Sequence, residues 1–386
     1  MAIRGGFGVT KQTITPSSQV ANNIASNPPA RVQPTVFHNN IATFTDGTGF
    51  LSPFAVNGLA VDWQPTTVYN YSLNVQRNLP FSTVVSAAYV GNRGRHIPQT
   101  RNINVIAPGA RFLPANIDPT NNVPLPDNFL RPLIGYGNVN IAEHVGESQY
   151  DSLQLTFNRR FTRGLQYGAA YTLSRSLDMA GTLPLYLDDR EYLWDYSEAD
   201  RRHILAANFV WNVPGASRLW NNAVVRAVLD NWQIAGVWTA YSGAPASVGF
   251  STSDGADILG GGDPGRIVRT CDPNLSRSER TFDRWFNTSC FSRPAKGDAG
   301  NASRQSIRLP GSHLLDANLS KMLVGREGRG LQFRAEFYNA FNQVAWTNVD
   351  TAARFDPQGN QINAAFGQVS GTAGPRIIQL SLRATF

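Results

Sequence analysis

The sequence predicts an all-β fold, an antiparallel transmembrane β-barrel built from about ten long strands, on three observations. Period-two alternation recurs along the 386 residues, in segments of about ten to thirteen residues, roughly twice the strand common in soluble proteins. One face of each segment is apolar and aromatic, the other small and polar. The connections alternate strictly between short and long, and in a meander that sorts them to opposite ends.

In chain order, "AIRGGFGVT" opens the series, and "TTVYNYSLNVQRNL" sets Tyr69, Tyr71, Leu73 and Val75 against Asn70, Ser72, Asn74 and Gln76. "STVVSAAYVG" follows over 82–91. "YDSLQLTFNRRF" opposes Leu153, Leu155, Phe157 and Phe161 to Ser152, Gln154, Thr156 and Asn158. "GLQYGAAYTLSRS" sets Leu165, Tyr167, Ala169, Tyr171 and Leu173 against Gln166, Gly168, Ala170, Thr172 and Ser174. Less regular strands are expected at 202–213, 231–243, 313–323 and 330–342, with the last at the C-terminus. Only "SRLWNNAVVRAVLDN" reads as a helix, near 217–229, through Leu219, Ala223, Val224, Ala227 and Val228. The long connections cover 11–65, 92–149, 177–201, 244–311 and 343–374. A soluble sandwich has shorter strands and does not sort its loops by end. A propeller or solenoid repeats at a fixed period, which is not found.

Composition narrows the function. Only 16% of residues are charged and 11% are aromatic, so the chain is polar but largely uncharged. Its formal charge of +7 comes from arginine, with lysine only at Lys11, Lys296 and Lys321. These cations are scattered, paired only at Arg159/Arg160 and Arg201/Arg202, unlike a nucleic-acid footprint. No apolar run is long enough for a transmembrane helix, and "MAIRGGFGVTKQ" is not a signal peptide, so export would need a leader upstream of Met1.

Several stretches carry a family resemblance: "IRGGFGV", "VQRNL", "AYVGNRGRHI", "YDSLQLTFNRRFTRGLQYGAAYTLSRSLD", "DYSEADRRHILAANFVWNVP", "NWQIAGVWTAYSGAP", "LQFRAEFYNAFNQ" and "FGQVSGTAGPRIIQLSLRATF". In this order they resemble the C-terminal part of the Oar-like TonB-dependent transporter barrels of acidobacteria and their relatives. The resemblance implies a cell outer-membrane location and a barrel of 22 strands, of which residues 1–386 would be the C-terminal portion. The signal peptide, carboxypeptidase-regulatory-like domain and plug of the family are not found in this stretch. It further implies ligand capture by extracellular loops and uptake energised by a TonB-type inner-membrane complex. The partners so expected are outer-membrane lipid, the outer-membrane assembly machinery, that coupling complex and an unknown ligand, with no nucleic acid.

Chemical motifs are sparse. "LDDREYLWDYSEADRR" gathers Asp188, Asp189, Glu191, Asp195, Glu198 and Asp200 among Arg190, Arg201 and Arg202. Asp188, Asp189, Glu191 and Asp195 are weak calcium candidates, but without EF-hand spacing a solvated, ion-paired loop is the better reading. Cys271 and Cys290 are either two separate thiols or a disulfide formed outside the cytoplasm, the latter favoured. "DILGGGDPGRIV" lacks the GK[ST] of a phosphate loop and reads as a flexible surface loop. The loop aromatics Tyr186, Tyr192, Trp194, Trp285 and Phe286 suit loop packing better than ligand stacking. No histidine pair, GxSxG elbow or other catalytic arrangement occurs, so neither an enzyme nor a cofactor is expected.

Two groups of residues complete the expectation. Asn70, Asn74, Gln154, Asn158 and Thr172 would line the lumen. The last strand carries Ile378, Leu380, Leu382 and Phe386 toward lipid, the pattern of a C-terminal assembly signal, with Gln379, Ser381, Arg383 and Thr385 opposite. The alternative to a barrel is a surface or secreted all-β protein that binds a carbohydrate or another partner without transport. The two differ in solvent requirement: a barrel needs detergent or lipid, and a monodisperse size-exclusion peak in plain buffer would reject it.

Overall fold

The structure, a computed structural model, describes residues 1–12, 23, 25–28, 30–31, 36–37, 50–51, 53–220, 222–326 and 329–386. Its frame is a meander of ten long strands: β1 (Ala2–Gln12), β2 (Thr66–Leu79), β3 (Thr83–Asn102), β4 (Val139–Thr162), β5 (Leu165–Met179), β6 (His203–Asn212), β7 (Trp232–Tyr241), β8 (Ser312–Arg326), β9 (Arg329–Tyr338) and β10 (Ile377–Thr385). Each pairs antiparallel with its sequence neighbours. Two short strands join the same sheet, Val56–Leu59 parallel to β4 and Trp194–Tyr196 against β5. Among the described residues β1 and β10 each pair on one side only, so the sheet is open.

Directly opposed residues share a face, and the register carries one face across all ten strands. One row runs Ile3, Val75, Ala87, Leu155, Tyr171, Leu205, Ala240, His313. Lower on the same face run Trp211, Ile234, Leu319, Ala335 and Leu380. Leu153, Leu155 and Phe157 are exposed rather than buried in a protein core, as are Ile378, Leu380, Leu382 and Phe386. Two aromatic side chains on this face lie over cross-strand glycines. A Cβ at Gly91 would come within 2.5 Å of the Tyr71 ring, and one at Gly236 within 2.7 Å of the Phe209 ring. Glycine leaves the space each ring covers.

The short connections gather at one end. Two residues join β4 to β5, Arg163 (φ 53°) and Gly164 (φ 78°), the left-handed pair of a type I′ hairpin. Three residues, 80–82, join β2 to β3. The expected helix between β6 and β7 is split into a 3-10 turn, Ala216–Arg218, and α1, Ala223–Leu229. Asn222 breaks it, because its side chain accepts the Val224 N–H (2.7 Å) and so caps α1 instead of continuing the preceding turn. Lys321 of β8 donates to the carbonyls of Val228 (3.1 Å) and Asp230 (2.6 Å), binding the linker to the sheet at the negative end of α1.

β3 and β4 run past their alternating segments, to Asn102 and back to Val139. Here the expected long loop shrinks from 92–149 to 103–138. The extension has no greasy face because it is held by cross-strand ion pairs, Arg93–Asp151 (3.0 Å), Arg95–Glu147 (3.1 Å) and Arg101–Glu143 (2.8 Å). With charged residues interrupting the apolar row, the ladder persists while its sequence signal disappears.

These faces predict opposite responses to charge. Leu155→Arg should destabilise the chain in lipid bilayers by about 2–4 kcal/mol, read from the denaturant midpoint, whereas Gln154→Arg next to it should cost about 1 kcal/mol or less. Equal costs would mean that the two faces meet the same solvent.

Candidate functional site

The long connections fold over the opposite end of the sheet and hold the main buried core. Ile267, Trp285, Phe286, Cys290, Phe291, Ile307, Ala353, Phe355 and Phe366 pack into one cluster drawn from segments 242–311 and 339–376. Phe286, Phe291 and Phe366 meet edge to face at 5.3–6.2 Å. The Trp285 indole donates to the Arg308 carbonyl (2.6 Å). Cys271 and Cys290 are joined in a disulfide beside this cluster, closing a loop of sequence separation 19. A smaller cluster, Met179, Leu183 and Leu193, takes Tyr192 and Trp194 against it. Of the five loop aromatics, Trp285 and Phe286 are buried, Tyr192 and Trp194 pack partly, and Tyr186 stays exposed.

Ionic and polar groups, some of them buried, bind these segments to one another and to the strands. Asp200 is wholly buried and accepts the Ser176 N–H of β5 and the Arg308 guanidinium, both at 2.7 Å. Arg308 also lies 4.6 Å over Tyr196. Arg101 forks to Glu143 (2.8 Å) and Asp189 (2.9 Å), and hydrogen bonding to Asp189, then Glu143, raises its guanidinium above its ordinary value. Arg304 donates to the Asp178 carboxylate and the Tyr196 carbonyl. Arg111 joins Asp127 (2.9 Å) to Asp257 (2.6 Å), tying segment 103–138 to 242–311. The side-chain N–H₂ of buried Asn104 donates to the Leu133, Tyr136 and Gly137 carbonyls. Sequence reading placed Asp189 and Asp200 in an ion-paired loop but missed their partners and the other pairs, since nothing local marks which loop arginine meets which carboxylate.

The glycine run is packed, which corrects its reading as a flexible surface loop. A Cβ at Gly260 would lie 2.5 Å from the Phe112 ring, and one at Gly261 would lie 2.8 Å from the Pro108 Cα. Gly109 and Gly262 donate to the Leu259 and Ile106 carbonyls (2.7 and 2.8 Å). The small residues are there because two backbones approach closely.

Three of the four calcium candidates use their carboxylates on separate partners. Asp188 caps the helix Asp189–Leu193 by accepting the Glu191 N–H (2.8 Å), Asp189 meets Arg101, and Asp195 accepts the Gln305 N–H (2.7 Å). Among the described residues no group of three or more His, Cys, Asp or Glu side chains is placed to hold a metal ion.

Asn70, Asn74, Gln154, Asn158 and Thr172 all fall on the face opposite the apolar row, with Asn74, Ala88, Gln154 and Thr172 in one line. Gly168 makes room for two amides there: its Cβ would lie 2.6 Å from Asn208 Oδ1 and 2.8 Å from Asn158 Oδ1. Ser86 and Thr156 bond at 2.6 Å on the same face.

Long antiparallel strands, one apolar face, tight turns at one end and packed loops at the other are the features of the outer-membrane β-barrel class. The model of the outer membrane beta barrel domain matches residues 1–379, and the chain belongs to that family, a family of the cell outer membrane. No curated protein matches it. Among solved structures it is similar to FpvA of Pseudomonas aeruginosa bound to a pyoverdine–iron complex, at 12% identity over 84% of this chain and 28% of that one, TM-score 0.41. It is similar also to BauA, the ferric preacinetobactin receptor of Acinetobacter baumannii, at 12% over 92% and 33%, TM-score 0.41. A third is the outer membrane transporter YddB of Escherichia coli, at 10% over 88% and 35%, TM-score 0.40. The chain spans about a third of the length of each.

Asp200→Ala leaves Arg308 without its buried counter-ion and should cost about 3–5 kcal/mol. Proteolysis of the loops of the membrane-inserted chain should accelerate accordingly, while Asp200→Asn/Arg308→Gln together should recover much of the loss.

Proposed function

We propose that this chain is the C-terminal part of an Oar-like, TonB-dependent receptor barrel, whose long loops capture a ligand outside the cell and whose polar strand face passes it inward. The observation that carries the reading is the division of labour between the two ends: a packed cap with its own aromatic core and disulfide stands over a polar sheet face. Packed loops offer a formed capture surface at low entropic cost. Asn70, Asn74, Gln154, Asn158 and Thr172 then line the lumen and supply hydrogen bonds rather than chemistry. The motifs quoted above support the family subtype. The one-sided pairing of β1 and β10 supports a larger barrel, since hydrocarbon tolerates no open strand edge. In the same reading Ile378, Leu380, Leu382 and Phe386 serve as the strand recognised by the assembly machinery, and energy comes from a TonB-type complex acting through the intact protein.

Single cysteines test the barrel part, because the native pair is disulfide-bonded. On intact cells a membrane-impermeant maleimide should label Gln358→Cys in the cap. Gln154→Cys should react with water-soluble reagents, and Leu155→Cys only with a lipid-dissolved one. Labelling of Leu155→Cys as fast as Gln358→Cys would favour the secreted binding protein. For the finer claim, collapse of the inner-membrane proton gradient should stop uptake by the intact receptor while leaving ligand binding at the surface.

A further inference from the structure

A cavity of about 1000 Å³ opens where the cap meets the sheet. Its lower wall is His203, Leu205, Ala240 and His313. Leu205 pairs with Tyr171 and Ala240, and Ala240 with His313, so these residues are the upper end of the lipid-facing row, while Tyr241 and Ser312 at the strand ends join the lining from the other face. Its roof comes from the cap, with Arg277, Arg280 and Trp285 of segment 242–311 and Val344 of segment 339–376.

The charges here are unbalanced. No carboxylate lines the cavity. Arg308 spends its charge on Asp200, but among the described residues neither Arg277 nor Arg280 forms an ion pair. Arg280 is half-buried, held with its guanidinium carbon 4.9 Å over the Trp285 ring and its Nε donating to the Leu275 carbonyl (3.0 Å). Burial lowers its proton affinity, with no carboxylate to restore it. A guanidinium fixed on an aromatic face, partly desolvated and lacking a counter-ion, is arranged to receive an anion, and its fork matches phosphate oxygens. Beside it the surface turns apolar: Val344 is exposed, and exposed Phe282 meets Trp346, another lining residue, at 6.4 Å.

We infer that this cavity seats the phosphorylated headgroup of an outer-leaflet glycolipid, with Arg277 and Arg280 on the phosphate and Val344 and Phe282 against the first part of its acyl chains. Location separates this from a site for a soluble anion. A wall continuous with the lipid-facing row places the phosphate at headgroup height, and the apolar flank has no use for a free ion. The inference needs only the outer-membrane location and is independent of what, if anything, the chain transports.

The test uses the chain in phosphatidylcholine nanodiscs, titrated with a glucosamine-disaccharide lipid bearing phosphates, with the same lipid after phosphate removal, and with inorganic phosphate, bound lipid being counted by native mass spectrometry. The phosphorylated lipid should bind at least about tenfold more tightly than its dephosphorylated form. R277A/R280A should erase that difference, while R284A, an arginine outside the cavity lining, should leave it intact. Equal binding of the two lipids to the unaltered chain overturns the inference without any variant. Inorganic phosphate that displaces the lipid at similar affinity overturns the lipid assignment in favour of a free-anion site.

Discussion

Everything in this fold depends on the requirement that backbone N–H and C=O groups crossing hydrocarbon be paired within the protein. A meander meets it between neighbouring strands, and its ladder has a side effect: the side-chain face cannot change without a bulge or a slip. From Ile3 to Leu380 the face is conserved through nine pairings. The bulges lie clear of the apolar rows, at Gly94–Gln99 in the polar extension and near the turns at Arg159–Thr162 and Met322–Val324. Register irregularities are thus confined to places where a changed face meets water or a headgroup.

That constraint also explains why burial is found in an unusual place. In a soluble sandwich the strand faces make the core. Here Leu73, Leu153, Leu380 and Leu382 stay exposed and the closely packed cluster lies in the connections. Lipid is the solvent for the strand face, so only the water-facing loops gain from burying Phe286 and Phe355 against each other's neighbours. Loops this long would otherwise pay heavily in entropy; an aromatic core, a disulfide and buried pairs such as Asp200–Arg308 offset that cost.

Legibility followed the same division. The strand Thr66–Leu79 was readable to the residue, because one of its faces meets lipid and the other water. The extensions beyond Gly91 and before Tyr150 were not, since ion pairs replace the apolar row and alternation is the only local sign of a strand. The helical linker read as continuous because apolar spacing spans Leu219 to Val228, whereas the break belongs to Asn222, a cap whose effect depends on backbone geometry. The glycine run looked flexible because the segment it touches, 105–112, is about 150 residues away in sequence. The cap's ionic partners were illegible for the same reason: contacts between loops have no period.

The height of the membrane on this sheet can be argued from β4. Asp151 lies on the apolar face, yet its carboxylate accepts from Tyr71 (2.8 Å), Tyr89 (2.7 Å), Arg93 (3.0 Å) and Gln149 (3.0 Å). A carboxylate that gathers four donors, two of them tyrosine hydroxyls, marks the level where hydrocarbon ends and the aromatic girdle begins. Ten residues further on Phe161, with the Arg159–Tyr167 contact (5.8 Å) two residues before it, marks the other interface. At about 3.3 Å per residue that distance is roughly 33 Å along the strand, which a tilt of about 40° reduces to about 25 Å, the height of the apolar band in outer-membrane barrels. Apolar residues fill the interval, Leu153, Leu155 and Phe157, and on neighbouring strands Leu73, Val75, Tyr171 and Leu173. The two interface markers and the apolar rows between them therefore agree on one slab, and the cap and its cavity stand at its outer surface.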